Sequence, residues 1–277
     1  MGMVRDDATI VADDLYPVAE ACGQTTEQVR SCLRRLVAEG LFTREGTGKA
    51  TTYRATKAGL SQIGVDFERA RLAYAQDAAG RGWDRHWHLV AFAIPERARA
   101  SRDEFRDRLL QLGGAAVQSA LYVSPHPWDK DVRAAAEELG IDDTVTIAST
   151  DDLDIGGERD PREIARKLWR VEDLARRYTR LVDEYTVVVD GLEAVRSRHE
   201  HLDDSLFLAG ALRTAVSFVK VFNSDPLLPP ELLPRPWPGR TARDLLLRSR
   251  RLGLTLRSGS TRATLFHGFD DALTSIP

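Results

Sequence analysis

Apolar residues recur at helical spacing early in the chain. Val29, Cys32, Leu33 and Leu36 stand at i, i+3, i+4 and i+7, which lines one side of a helix. Glu27, Arg30, Ser31, Arg34 and Arg35 fall on the other sides, free to meet a partner. Thr25 or Thr26 supplies a hydroxyl for the orphan backbone N–H groups at the start. Gly40 supplies the stop. Residues 41–44 then read as a strand, 45–49 carry two glycines and form a turn, and 50–55 return as a second strand with Tyr53 inward. Ahead of this, Leu15, Val18, Ala19 and Cys22 mark one side of another helix over 12–22, which Gly23 stops. Residues 1–11 are poorly patterned. The predicted order is helix, turn, helix, hairpin. An amphipathic core helix with a solvated basic face, followed by an ordinary hairpin, has the same spacing.

The pattern changes after the hairpin. Residues 60–79 predict a helix, and Gly80 to Gly82 break it. The apolar run from Leu89 to Ile94, stopped by Pro95, predicts a buried strand. Phe105, Leu109 and Leu112 predict a helix over 101–112, ended by Gly113 and Gly114. Residues 115–124 read as a strand pair or one bent strand. A helix over 129–139 stops at Gly140, and 144–149 alternate as a final strand. Strand, helix, strand or strands, helix, strand is the order of a ferredoxin-like α+β unit.

An acidic linker at 151–160 leads to Pro161 and one long amphipathic helix. Its stripe is Ile164, Leu168, Val171, Leu174, Tyr178 and Leu181. Helices follow at 183–198, 204–222 and 241–252. Six prolines in 225–240 predict an extended, ordered loop. The fold class expected is a multidomain α+β protein with an N-terminal winged helix over 1–80. A ferredoxin-like domain over 83–155 and a mostly helical C-terminal domain over 160–277 complete it.

A chain of 277 residues exceeds one typical core, which agrees with two or three domains. Net charge is −3, so any nucleic-acid contact is local. The charge is uneven in a useful way: residues 24–59 carry seven Lys/Arg against three Asp/Glu, whereas 1–23 carry five acids and one base. Cys22 and Cys32 read as reduced, core or near-core thiols of a cytoplasmic protein. No apolar run is long enough to span a membrane.

Three separated stretches resemble one family. They are VRSCLRRLVAEGLF (29–42) with its hairpin, WDRHWHLVAFAIPE (83–96) with ALYVSP (120–125), and DPLLPPELLPRPWPGR (225–240). Together, and in this order, they resemble the PaaX type of bacterial transcriptional regulators, the phenylacetate-catabolism repressors. The resemblance implies an N-terminal winged helix, a central domain similar to a CRISPR spacer-acquisition nuclease and a helical C-terminal domain. It also implies a homodimer on double-stranded, palindromic operator DNA and release by an aryl- or acyl-CoA thioester. The leading helix of a winged helix has only residues 1–11 to form it, a departure from that pattern. Effector-contacting residues are not implied.

On this reading the helix after Gln24 enters the major groove. Ser31, Arg34 and Gln28 come nearest base edges, with Thr26, Arg30 and Arg35 beside them, and Arg44, Lys49 and Thr51 near phosphate. A metal-dependent nuclease on the central domain is the alternative. Its strand, however, ends Ala93, Ile94, Pro95 without a carboxylate, and Glu96 alone makes a weak metal site. His86 with His88, and His199 with His201, lack partners at zinc-like spacing. No nucleophile elbow, phosphate loop or dinucleotide fingerprint occurs. No catalytic residue, metal or cofactor is therefore expected. The arginines of 162–180 either hold effector phosphates or form a solvated face packed on the central domain. Trp169 and Trp237 line a ligand cavity or belong to the core. A scaffold without DNA binding is the third reading.

Overall fold

The computed structural model of the chain describes residues 4–5, 7–46 and 51–257. They gather into two compact units. One comprises Met1–Ala75, Thr179–Lys220 and Arg240–Pro277, the other Gln76–Tyr178 and Val221–Gly239.

In the first unit, β1 (Thr9–Val11) precedes α1 (Ala12–Ala21) and α2 (Thr26–Ala38). The hairpin strands β2 (Phe42–Glu45) and β3 (Thr52–Ala55) follow, and α3 (Lys57–Ala79) begins in this unit. The poorly patterned start thus holds a strand. Its three residues pair antiparallel with β3, Ile10 opposite Tyr53, so the sheet order is β1-β3-β2. Three residues are too few for an alternation to stand out, and β1 exists because β3 offers it an edge. Ile10, Leu33, Phe42, Tyr53 and Ala55 form the buried core beneath this sheet. Leu33 centres the contact of α2, flanked by Val29, Leu36 and Val37. Cys32 lies at the margin of that stripe and is exposed, contrary to its expected core placement.

The same unit contains most of α7 (Val171–Ser197), nearly all of α8 (Asp204–Phe222) and α9 (Pro238–Leu256). The apolar side of α1 is shared between two clusters, with Leu15 in the core beneath the sheet. Val18 packs in a buried cluster with Leu202, Phe207, Leu208 and Leu256, and Cys22, Leu192 and Val195 adjoin it. Inside the helical part, the buried Tyr185 hydroxyl donates to the Thr214 carbonyl at 2.8 Å. Burial in these surroundings raises its pKa.

The second unit is built on β4 (Trp87–Phe92), α4 (Arg99–Gln111), β5 (Ala115–Gln118), β6 (Leu121–Ser124), α5 (Asp129–Leu139) and β7 (Val145–Thr150). The strands form one antiparallel sheet in the order β5-β6-β4-β7. Alternation along β4 feeds two cores. Val90 and Phe92 meet Phe105, Leu109, Tyr122 and Val132 from α4, β6 and α5. Trp87 and Leu89 face the other way, against Ile164 and Ala165 of α6 (Pro161–Trp169) and Leu228, Leu232 and Leu233. This explains the near-continuous apolar run, since a strand covered on both faces has no polar side.

The single helix expected from Pro161 is two. Arg170 takes a left-handed conformation (φ 49°, ψ 45°) and separates α6 from α7. The apolar stripe is continuous in sequence because its residues are buried on both sides of this break. Conversely, the β-branched run at 186–189 does not interrupt α7. A helix tolerates such residues when it is long and packed.

The proline-rich stretch covers the second face of the sheet and is tied down by polar anchors. His126 donates from Nε2 to the Leu227 carbonyl at 2.8 Å, and buried Asp225 accepts from the Tyr178 hydroxyl at 2.6 Å. The Glu231 carboxylate accepts from the backbone N–H groups of Gly82 and Trp83. Leu228 and Leu232 are almost fully buried, each worth roughly 1.5–3 kcal/mol of transfer free energy.

Candidate nucleic-acid interface

The start of α2 is fastened by its own sequence. The Thr25 hydroxyl accepts from the Gln28 backbone N–H at 3.2 Å. The Gln28 side chain accepts in return from the Thr25 backbone N–H at 2.7 Å. This reciprocal capping box satisfies two orphan donors and sets the end of the helix. At the other end Gly40 turns left-handed (φ 71°) and passes the chain into β2.

The expected contact residues separate into three groups. Thr26, Arg30, Ser31, Arg34 and Arg35 are exposed along α2, and Arg44 is exposed on β2. Gln28 is also exposed, but its side-chain oxygen is used by the cap. Lys49 lies outside the described residues. Thr51 is a correction: it is only 4% exposed, so its side chain is not offered to phosphate. Its backbone carbonyl accepts from Ala12, which ties β3 to the start of α1. The fold needs that position for its own closure.

Three acids on this surface pair with its arginines. Arg34 donates to Glu27 Oε1 at 2.7 Å, seven residues back along the exposed face. That hydrogen bond, with the charges of Arg34 and Arg30, holds the Glu27 carboxyl below its ordinary pKa. On the hairpin, Arg54 pairs with Glu45 at 2.9 Å across the β2–β3 ladder. Arg35 reaches Glu39 only loosely, at 3.8 Å. The i, i+7 pairing had a signal in the sequence, because residues 27, 30, 31 and 34 share one helical face.

The other candidates lie elsewhere. Glu96, at the tip after β4, is exposed and engaged by Arg102 at 2.9 Å. His88 donates to Asp84 at 3.0 Å and is buried. Burial works against the Asp84 carboxylate, but the His86 backbone N–H and the His88 ring outweigh it and keep its pKa low. Among the described residues no three His, Cys, Asp or Glu side chains are grouped to hold a metal. The arginines of α6 and α7 largely serve the fold. Arg162 donates to the Glu231 carbonyl, Arg166 to Glu163 and Glu172, and Arg177 to Ser224. Trp169 donates to the Gly113 carbonyl at 2.9 Å and stacks near Trp87, while Trp237 packs edge-on against Tyr178. No described helix is long and apolar enough to cross a membrane.

Comparison with known proteins agrees with this architecture. Residues 80–165 match the family model of the PaaX protein central Cas2-like domain. Residues 169–260 match that of the PaaX-like protein C-terminal domain. The chain belongs to the PaaX-type family. Among curated relatives, Transcriptional repressor PaaX of Escherichia coli (strain K12) is 26% identical over 239 residues, 84% of this chain and 71% of that protein. Among solved structures, the uncharacterized protein Rv0674 from Mycobacterium tuberculosis shares the fold. Its TM-score is 0.52 at 21% identity, over 88% of each chain.

Proposed function

We propose that this protein is a DNA-binding transcriptional repressor that reads a palindromic operator as a homodimer in the cytoplasm. The observation that carries the reading is the exposed face of α2. It is rigidly capped by Thr25, backed by the Leu33 core contact, and lined by Glu27, Arg30, Ser31 and Arg34. Such a face after a helix and a turn is what a major-groove reader presents. Arg44 on the adjoining hairpin has the position of a backbone contact. The three-stranded sheet behind α1 and α2 supports a winged helix, with β1 completing it. The β-α-β-β-α-β order and the β5-β6-β4-β7 sheet support a ferredoxin-like middle domain.

The regulator reading is preferred to a nuclease on the middle domain because the carboxylate nearest the strand tip, Glu96, is occupied by arginine. An acyl- or aryl-CoA thioester is the proposed effector, by likeness to the curated relative's family. By linkage it releases DNA only as far as it prefers the DNA-incompetent state, typically by about 1–3 kcal/mol.

The test is a gel shift with the DNA upstream of the protein's own coding sequence, with and without phenylacetyl-CoA and related thioesters. The expected result is a retained band that the active thioester diminishes. The same thioester should raise the melting temperature of the DNA-free protein. No shift with any upstream fragment would overturn the DNA-binding reading. A shift that no thioester moves would overturn the effector.

A further inference from the structure

The face of α2 contains a carboxylate where a DNA reader gains nothing from unspecific attraction. Every exposed Lys or Arg on such a face draws phosphate regardless of sequence, and Glu27 opposes that. Its partner explains the position. Arg34 lies seven residues further on, about 10 Å along the axis, two turns nearer the C-terminal end of α2. Base edges are met by the N-terminal residues of such a helix. The bond from Arg34 to Glu27 Oε1 at 2.7 Å draws the guanidinium back toward that N-terminal end. Both side chains are about two-thirds exposed, so the pair is open to a ligand.

From this geometry we propose that Glu27 is a specificity-determining residue. It positions Arg34 so that the pair requires a G·C base pair. The inference rests on the reading of α2 as the groove-entering helix. A guanidinium has five N–H donors in a fixed fork, and spending one on Glu27 leaves four, of which guanine O6 and N7 need two. A carboxylate accepts more than one bond, so Glu27 also has capacity for the amino group of a cytosine. Its negative charge meanwhile penalises registers that place phosphate there.

The experiment is selection from a pool of randomised duplexes by the full-length wild type, Arg34→Ala, Glu27→Ala and Glu27→Gln. Affinity for random-sequence DNA is measured alongside. The wild type should select a motif with one position held as G·C, and Arg34→Ala should lose that preference. Glu27→Ala should lose the same position while binding random DNA several-fold more tightly at low salt, where surface charge is least screened. Glu27→Gln, which can still accept from Arg34, should keep part of the preference and share the gain in random binding. Because both side chains are exposed, circular dichroism and melting temperature should be unchanged. A Glu27→Ala protein that keeps the G·C preference lost by Arg34→Ala would overturn this inference alone. A wild type without a selected motif, or an Arg34→Ala protein with the wild-type motif, would overturn it together with the reading of α2.

Discussion

Gly59 tests the packing of the first unit, because two physical effects predict opposite signs there. It lies in the first turn of α3, where its N–H donates to the Thr56 hydroxyl. On helix propensity alone, replacing a helical glycine by alanine stabilises by about 1 kcal/mol. The structure reverses this. A Cβ on Gly59 would stand 2.1 Å from the Leu41 carbonyl oxygen, 0.9 Å inside the 3.0 Å limit that real Cβ contacts respect. The obstacle is backbone and cannot rotate away. The Leu41 carbonyl also accepts from the Thr56 N–H at 3.0 Å and the Thr56 hydroxyl at 3.2 Å, so moving it weakens both. Overpacking of this kind costs about 1–3 kcal/mol, which exceeds the propensity gain. Gly64 in the same helix is the control, since a methyl group there would have nothing within 4 Å. Gly59→Ala should lower the denaturant midpoint, whereas Gly64→Ala should raise stability by up to about 1 kcal/mol. Leu41 links α2 to β2, so Gly59→Ala should also weaken operator binding in a gel shift. A Gly59→Ala protein as stable as Gly64→Ala would refute the close approach of α3 to this link.

Two further outcomes follow from buried groups. Phe207 sits 7% exposed in the cluster that covers Val18 of α1. Phe207→Ala should cost about 3–5 kcal/mol and speed hydrogen exchange in α1, and unchanged exchange in α1 would refute this coupling. Burial pushes the His126 pKa below its ordinary value, against the smaller opposing effect of the Leu227 carbonyl. The unfolded chain therefore takes up the proton first, and the stability contributed by neutral His126 is present above about pH 6.5. It is lost as pH falls through the lower folded-state value. His126→Gln retains a donor without the titration, so denaturant melts across pH 5–7 should show a flatter dependence than wild type. Parallel curves would refute it.

Much of the local structure was legible because it depends on neighbours in sequence. The α2 cap follows from Thr25 and Gln28, the stop at Gly40 from glycine's tolerance of positive φ, and the β4 run from a strand buried on both faces. The face of α2 that carries Glu27, Arg30, Ser31 and Arg34 follows from helical periodicity alone. Tertiary structure decided what periodicity leaves open. β1 exists only because β3 presents an edge to Ile10. Thr51 is internal because its strand closes against α1, although a threonine in a basic hairpin reads as a surface residue. Arg170 breaks a stripe whose spacing describes one helix, since burial on both sides of a bend leaves the same apolar letters. The bond between Arg34 and Glu27 depends on which rotamers two long side chains adopt in space. The cover over α1 comes from residues far along the chain, Leu202, Phe207 and Leu256, and a contact at that separation leaves no periodic trace in the chain.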